Sequence, residues 1–148
     1  MSYLNLYMVY EKSAGAIVFY RKNNEIYFLL LEYITYWGFV RGKIEKDENI
    51  EETIRREAKE EANISDLKFI QGFKEIQDWY YTLDKKTVKK NAIFYLGEIT
   101  EKQANQIKIS DEHKSFKFCT LKEALKLMRI KNEKAMLEKA YNFIIKNS

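Results

Sequence analysis

The sequence predicts an α+β fold in which a mixed β-sheet is sandwiched between α-helices, an α/β/α arrangement. Runs of β-branched and aromatic residues are typical of strands, and two other stretches carry an apolar stripe at helical spacing. These elements come in the order strands, helix, strands, helices, which favours helices packed on the faces of one sheet. No repeat or linker interrupts the 148 residues, so a single domain over residues 1–148 is expected.

The first elements are two predicted strands. Residues 13–20 (SAGAIVFY) are β-branched and aromatic, and residues 25–32 (EIYFLLLE) form an apolar run that suggests burial on both faces. The polar residues 21–24 predict a turn, so the two strands should form a hairpin or lie close together. A short apolar piece at residues 37–40 leads into a predicted turn at residues 41–43.

A helix is predicted over residues 50–62. Asn49 is a suitable N-cap, and Glu52 three residues later is positioned to complete a capping box. Asn63 follows as the expected left-handed residue at the end of the helix, a conformation that asparagine tolerates.

The second half of the chain alternates strands and helices. Strands are predicted at residues 67–76, 79–83, 92–99 and 116–119. The lysine-rich residues 84–91 predict a solvated loop between two of them. Thr120 and Glu123 form a second capping box, which opens a helix that runs to about residue 129. Residues 132–145 predict the last helix from their apolar stripe.

Composition narrows the classes of function. The net charge of +4, from 26 basic and 22 acidic residues, is too mild to indicate duplex nucleic acid, although it is compatible with a polyanionic small molecule or simply a mixed solvated surface. Cys119 is the only cysteine, which excludes an intramolecular disulfide and a two-cysteine zinc site. No stretch approaches the roughly 18 apolar residues of a membrane span, so no membrane partner and a cytoplasmic location are expected.

Three glutamates crowd one side of the predicted helix. Glu57, Glu60 and Glu61 stand at i, i+3 and i+4, which places them within an arc of about 100°. Crowded carboxylates repel one another, and a hard divalent cation such as Mg²⁺ or Mn²⁺ would relieve that repulsion. The alternative is an exposed charged helix stabilised by pairs such as Glu52 with Arg56.

The segment that holds these glutamates resembles the Nudix box. The family pattern is Gly-x5-Glu-x7-Arg-Glu-U-x-Glu-Glu-x-Gly-U, with U aliphatic, and the chain follows it at Gly42, Glu48, Arg56, Glu57, Ala58, Glu60, Glu61 and Ile64. Asn63 replaces the last glycine. The resemblance implies the Nudix fold, with the box as a loop–helix–loop, and a metal-dependent hydrolase of nucleotide phosphoanhydrides.

The resemblance also assigns roles within the box. The metal ligands it implies are Glu57, Glu60, Glu61 and the carbonyl oxygen of Gly42. Arg56 would orient these catalytic groups through a salt bridge with Glu48.

Further segments resemble the asymmetrical diadenosine tetraphosphate hydrolases of this family. They are Ala14 to Phe19, Trp37 to Phe39, Lys90 with the strand after it, and Ser110 to His113. This likeness makes Glu112 a candidate general base or extra metal ligand and His113 a candidate phosphate neighbour. Residues 40–43 (VRGK) depart from the usual Pro-Lys-Gly-His, which puts a lysine where the subfamily has histidine.

The remaining substrate contacts are cations and aromatic rings. Lys43 and Lys90 would meet phosphate oxygens as point charges. The base needs an aromatic platform, for which the candidates are Tyr36, Trp79, Tyr80 and Tyr81. Tyr81 is preferred because of its place before Lys90.

The sequence therefore predicts a nucleotide polyphosphate substrate, first of all diadenosine tetraphosphate cleaved to ATP and AMP. Another Nudix substrate is the main alternative: a 5′-triphosphorylated RNA end, a nucleoside triphosphate or ADP-ribose. A non-catalytic nucleotide sensor and an RNA-binding module that uses residues 85–90 are the others. Nucleic acid is otherwise not expected as a partner, and the sequence carries no indication of an oligomeric state.

Overall fold

The computed structural model describes residues 8–148, which form seven strands and four helices. The strands are β1 (Met8–Lys22), β2 (Glu25–Glu32), β3 (Trp37–Gly38), β4 (Val40–Lys43), β5 (Lys68–Leu83), β6 (Lys86–Glu98) and β7 (Ser115–Cys119). The helices are α1 (Ile50–Ala62), α2 (Glu101–Ala104), α3 (Leu121–Leu127) and α4 (Lys131–Lys146). Within residues 8–148, no helix is both long enough and apolar enough to cross a membrane.

All seven strands belong to one mixed sheet. Its main order is β3-β2-β1-β6-β5, with β4 also paired to β1 and β7 to β2. The central pair β1–β6 is parallel and the other pairs are antiparallel. The predicted hairpin of the first two strands is confirmed, since Lys22 pairs with Glu25 in register.

Helices cover both faces of the sheet, which confirms the predicted sandwich. On one face α3 and α4 bury an apolar cluster that includes Phe28, Phe94 and Leu137. On the other face α1 buries a second cluster through Ile54 and Ala58. The side chains of β1 alternate between these two clusters, because successive residues of a strand point to opposite faces.

The ends of α1 follow the sequence prediction closely. Asn49 accepts a hydrogen bond from the backbone of Glu52, and the Glu52 side chain accepts one from the backbone of Asn49. Asn63 ends the helix in the left-handed region with φ of 58°. These caps fix where the helix starts and stops, and therefore which residues its glutamates face.

Two predicted loops are strands instead. Residues 41–43 belong to β4, where Gly42 pairs with Ala14 of β1. Residues 86–91 belong to β6, and only Asp84 and Lys85 form the turn, both with positive φ. Pairing with β5 on one side and β1 on the other outweighs the local lysine content, because residues 87–91 have a partner strand on both sides for their backbone groups.

Two smaller differences concern the second half. The predicted strands at residues 67–76 and 79–83 are one long strand, β5, with an irregularity between Phe69 and Lys74. Gly72 within it has φ of 97°, a conformation that favours glycine. The short helix α2 was not predicted, although Thr100 caps it through the backbone of Gln103.

Candidate active site

The candidate site lies where β4 runs beside α1. At Gly42 the backbone packs directly on the Glu57 side chain, and a Cβ atom built there would overlap the Glu57 carboxylate. Only glycine leaves room for this contact. Gly42, the first glycine of the box pattern, is therefore required for a steric reason in this chain.

Arg56 is the centre of a network of ion pairs. Its Nε donates to Glu48 Oε2 at 2.6 Å, and its Nη1 donates to Glu57 Oε1 at 2.7 Å. Its Nη2 donates to the Lys43 carbonyl oxygen at 3.0 Å, which ties the helix to the end of β4. The hydrogen bonds from Arg56 hold the pKa of Glu48 at about 2. Glu48 is thus a fixed anion that orients the guanidinium.

Five carboxylates line one cavity of about 360 Å³, those of Glu45, Glu57, Glu60, Glu61 and Glu112. Gly42 and Lys43 also line it. Glu112 comes from the loop before β7, so the cavity joins residues far apart in sequence. The Glu60 side chain is 60% exposed, whereas that of Glu57 is only 13% exposed. We call this space the acidic cavity.

Glu61 is the most buried acid of the group. Its Oε1 accepts a hydrogen bond from the Arg41 backbone N–H at 2.9 Å, and the residue is 4% exposed. Burial, aided by the charges of Glu57 and Glu112, raises the pKa of Glu61 to about 8. Burial also raises the pKa of Glu57. Both shifts mark carboxylates whose charge lacks sufficient compensation from the protein alone.

The donor set fits a hard divalent cation. Carboxylate and carbonyl oxygens are the ligands that Mg²⁺ and Mn²⁺ prefer, and added positive charge would offset the burial that raises the pKa of Glu61. Within residues 8–148, no three His, Cys, Asp or Glu side chains already converge as a metal cluster. Arg56 contacts Oε1 of Glu57 and Oε2 of Glu60, which leaves the other oxygen of each carboxylate for a cation.

His113 lies behind Glu61 rather than at the surface of the cavity. Its side chain is fully buried, Nε2 lies 3.2 Å from Glu61 Oε2, and Nδ1 is 3.2 Å from Ser110 Oγ. Tyr33 packs edge-on against the imidazole ring. The predicted phosphate neighbour therefore lies beside Glu61 without a hydrogen bond from Nε2, and its buried ring has no surface for a substrate.

A second cavity of about 350 Å³ adjoins the first. Its lining includes Tyr36, Arg41, Trp79, Lys90 and Glu133. Arg41 lines both cavities. Lys90 Nζ lies 5.4 Å from the centroid of the Trp79 ring, and the Arg41 guanidinium carbon lies 6.0 Å from it. This aromatic cavity combines a flat ring with two cations.

The structure brings only some of the predicted substrate contacts together. Lys43 lines the acidic cavity and Lys90 the aromatic cavity. Tyr81 lines neither: its hydroxyl donates to Glu11 Oε2 at 3.2 Å. Trp79, another of the candidate rings, pairs in register with Lys90 and lines the aromatic cavity.

Sequence reasoning also missed Arg41 and Glu133. The sequence predicts a turn at Arg41 and an ordinary helical stretch at Glu133, yet their side chains are only 9% and 7% exposed and form an ion pair at 3.4 Å. The only signal for Arg41 was its place beside Gly42 of the box, and Glu133 had none.

The burial of Glu61 predicts a pH dependence of stability in metal-free protein. Since its pKa is about 8 when folded and near 4.5 when exposed, the folded state holds a proton between these values that the unfolded state has released. The free energy of unfolding should therefore fall as pH rises through this window, by up to about 1.4 kcal/mol per pH unit from this group. Denaturant titrations with a chelator should show that Glu61→Gln removes this part of the slope. Glu51→Gln, an exposed neutralisation on the same helix, is the matched control, and parallel curves for all three proteins would refute the assignment.

Comparisons with known proteins agree with this geometry. The family model of the NUDIX domain matches residues 9–140. The bis(5′-nucleosyl)-tetraphosphatase (asymmetrical) of Mus musculus is 32% identical over 144 residues, which cover 90% of this chain and 95% of the mouse protein. The corresponding protein of Caenorhabditis elegans is 26% identical over 138 residues.

Solved structures show the same fold. A C. elegans Ap4A hydrolase binary complex superimposes with a TM-score of 0.79 at 26% identity, over 91% of this chain and 98% of that one. The NUDIX domain of Shewanella oneidensis NrtR, complexed with ADP ribose, has a TM-score of 0.68 at 14% identity over 95% and 92% of the two chains, which supports the fold alone. The chain therefore belongs to the Nudix family and is an enzyme of the pyrophosphohydrolase class.

Proposed function

We propose that this enzyme hydrolyses a bis(5′-nucleosyl) tetraphosphate asymmetrically, as in the cleavage of diadenosine tetraphosphate to ATP and AMP, with Mg²⁺ or Mn²⁺ as cofactor. The observation that carries the proposal is the pair of adjoining cavities, one acidic and one aromatic and basic, with Arg41 in the wall of both. A nucleotide with its phosphates beside the carboxylates and its base beside Trp79 would occupy both. The cytoplasmic location inferred from the sequence stays a prediction.

Four of the five carboxylates of the acidic cavity, all except Glu45, are the proposed metal ligands and catalytic groups. Glu57, Glu60, Glu61 and the Gly42 carbonyl would hold the cation. When bound, it would offset charge on the phosphate oxygens and make an attacking water more acidic. Arg56, held by Glu48, keeps Glu57 aimed at Gly42. Glu112 enters from a separate loop and is the candidate acceptor of the water proton or an additional ligand.

Three cations are placed to bind a polyphosphate chain. Lys43 lies at the acidic cavity, Lys90 at the aromatic cavity, and Arg41 between them. Burial and the nearby Arg41 lower the pKa of Lys90, which indicates that Lys90 lacks a full set of anionic partners. Phosphate oxygens would supply that charge.

Trp79 is the proposed platform for the base. Stacking of a base on an aromatic ring is worth about 1–3 kcal/mol. Trp79 borders the aromatic cavity, and the mouse and C. elegans relatives are named for nucleosyl tetraphosphate and Ap4A hydrolysis. Both points support a dinucleotide substrate over a bare polyphosphate.

A product-resolved assay tests the proposal. Purified enzyme with Mg²⁺ or Mn²⁺ should convert diadenosine tetraphosphate to equal amounts of ATP and AMP, and faster than it hydrolyses ADP-ribose, a nucleoside triphosphate or a 5′-triphosphorylated RNA. Two ADP molecules as products would contradict the asymmetrical cut. A faster reaction on one of the other substrates would replace the proposed one, and nucleotide binding without turnover would indicate a sensor.

A further inference from the structure

Glu133 is a buried carboxylate that the proposed reaction does not use. It lies in the first turn of α4 and lines the aromatic cavity with Trp79, Lys90 and Arg41. Its side chain is only 7% exposed. An acid in this position is costly unless it is well paired, because burial removes the water that would stabilise its charge.

The pairing of Glu133 is incomplete. Oε2 accepts one long hydrogen bond, at 3.4 Å, from Arg41 Nη1. Oε1 is buried and has no hydrogen-bond partner anywhere in the part of the chain that the structure describes. An ionised carboxylate can accept about four hydrogen bonds, and most buried polar atoms in proteins have at least one. The deficit points to a donor supplied by a ligand.

We propose that Glu133 determines base specificity in the aromatic cavity and favours guanine over adenine. The inference rests on the proposed function, because it requires that a nucleotide base enter this cavity. It would make diadenosine tetraphosphate a weaker substrate than its diguanosine counterpart.

The preference follows from hydrogen-bonding chemistry. A carboxylate only accepts hydrogen bonds, and guanine presents two neighbouring donors on one edge, the N1–H and the 2-amino group. Adenine presents its 6-amino group beside N1 or N7, whose lone pair would face the carboxylate and repel it. Rotation about the Cγ–Cδ bond, a soft torsion, can turn either oxygen of Glu133 toward the base.

The surroundings of Glu133 suit this role. Arg41 and Lys90 supply positive charge that favours the anion, although burial raises the pKa of Glu133. Asp78, a second carboxylate of the same cavity, uses Oδ1 to accept a hydrogen bond from Asn91 at 2.6 Å. The aromatic cavity therefore has two carboxylates in its lining beside Trp79, which matches a donor-rich base edge.

The test is the ratio of kcat/KM for diguanosine and diadenosine tetraphosphate at mildly alkaline pH. The wild-type enzyme should favour guanine by about tenfold, within the range for one good base contact. Glu133→Gln should bring the ratio close to one, because the amide offers one donor and one acceptor and fits adenine as well as guanine. If the substitution also displaces Arg41 or impairs folding, kcat/KM falls for both dinucleotides, and this loss cancels in the ratio. Glu138→Gln, an exposed neutralisation on the same helix, should keep the wild-type ratio.

Binding of GMP and AMP by calorimetry provides a readout without turnover. The wild-type protein should bind GMP about tenfold more tightly, and Glu133→Gln should lose the difference. Equal or tighter binding of AMP by the wild type, or an unchanged ratio in a folded Glu133→Gln protein, would overturn the inference. Absence of hydrolysis of either dinucleotide would overturn the proposed function instead, and the monophosphate affinities would still decide the role of Glu133.

Discussion

Glu60→Gln and Glu61→Gln should each lower kcat/KM with Mg²⁺ by about a thousandfold, the scale of the several kcal/mol that a bound cation supplies to such reactions. Glutamine keeps the size of the side chain and removes the negative charge. The Glu60 side chain is largely exposed, and glutamine at position 61 can still accept the hydrogen bond from the Arg41 backbone. Both variants should therefore fold normally. Steady-state kinetics over a range of Mg²⁺ concentrations, with a thermal melt, measures both properties.

Glu51→Gln is the control for these two variants. Glu51 is an exposed acid of the first turn of α1 and lines neither cavity, so its neutralisation changes the helix charge without touching the site. It should retain the wild-type rate. Near-normal turnover of a folded Glu60→Gln or Glu61→Gln enzyme would show that the metal assignment is wrong.

Gly42→Ala should reduce kcat by about a hundredfold while leaving most of the fold intact. The new methyl group would occupy the space of the Glu57 carboxylate, which must then move from its place beside Arg56. Misplacement of a catalytic group by about 1 Å can cost this much. The backbone of residue 42 has no positive φ, so alanine meets no conformational barrier there.

A double-mutant cycle separates this explanation from general damage. If Gly42→Ala acts by displacing Glu57, it should have little further effect in a Glu57→Gln background, because the same group is lost twice. Losses that multiply in the double variant would show that the methyl group acts on something other than Glu57.

The parts of the fold that the sequence predicted are those governed by local chemistry. The capping box of Asn49 and Glu52 and the left-handed Asn63 depend on neighbours within one turn, and the structure has all of them. The acidic side of α1 follows from helical spacing alone, so the sequence was sufficient to predict that these glutamates share one face of the helix. The salt bridge of Arg56 with Glu48 was expected from the resemblance and is present.

The parts that were missed depend on pairing between distant strands. The residue types at positions 84–91 individually favour a solvated loop, but pairing with β1 and β5 makes residues 86–91 a strand. Treating them as a loop concealed that Trp79 stands opposite Lys90, and so favoured Tyr81. Glu133 reaches Arg41 across the fold, from helix to strand, and no local pattern marks such a contact.

The parallel pairing of β1 with β6 constrains how the molecule assembles. It joins Met8 to Thr87 and Phe19 to Glu98, so the middle of the sheet cannot close until more than half of the polypeptide has been made. Contacts between such distant segments form slowly, because a long loop must first lose its freedom. During synthesis on the ribosome, the edge of β1 that pairs with β6 would therefore stay unpaired until β6 has been made. Helix α1 would be complete before β6, which carries Lys90, has been synthesised. The chain could therefore bind a nucleotide only late in synthesis.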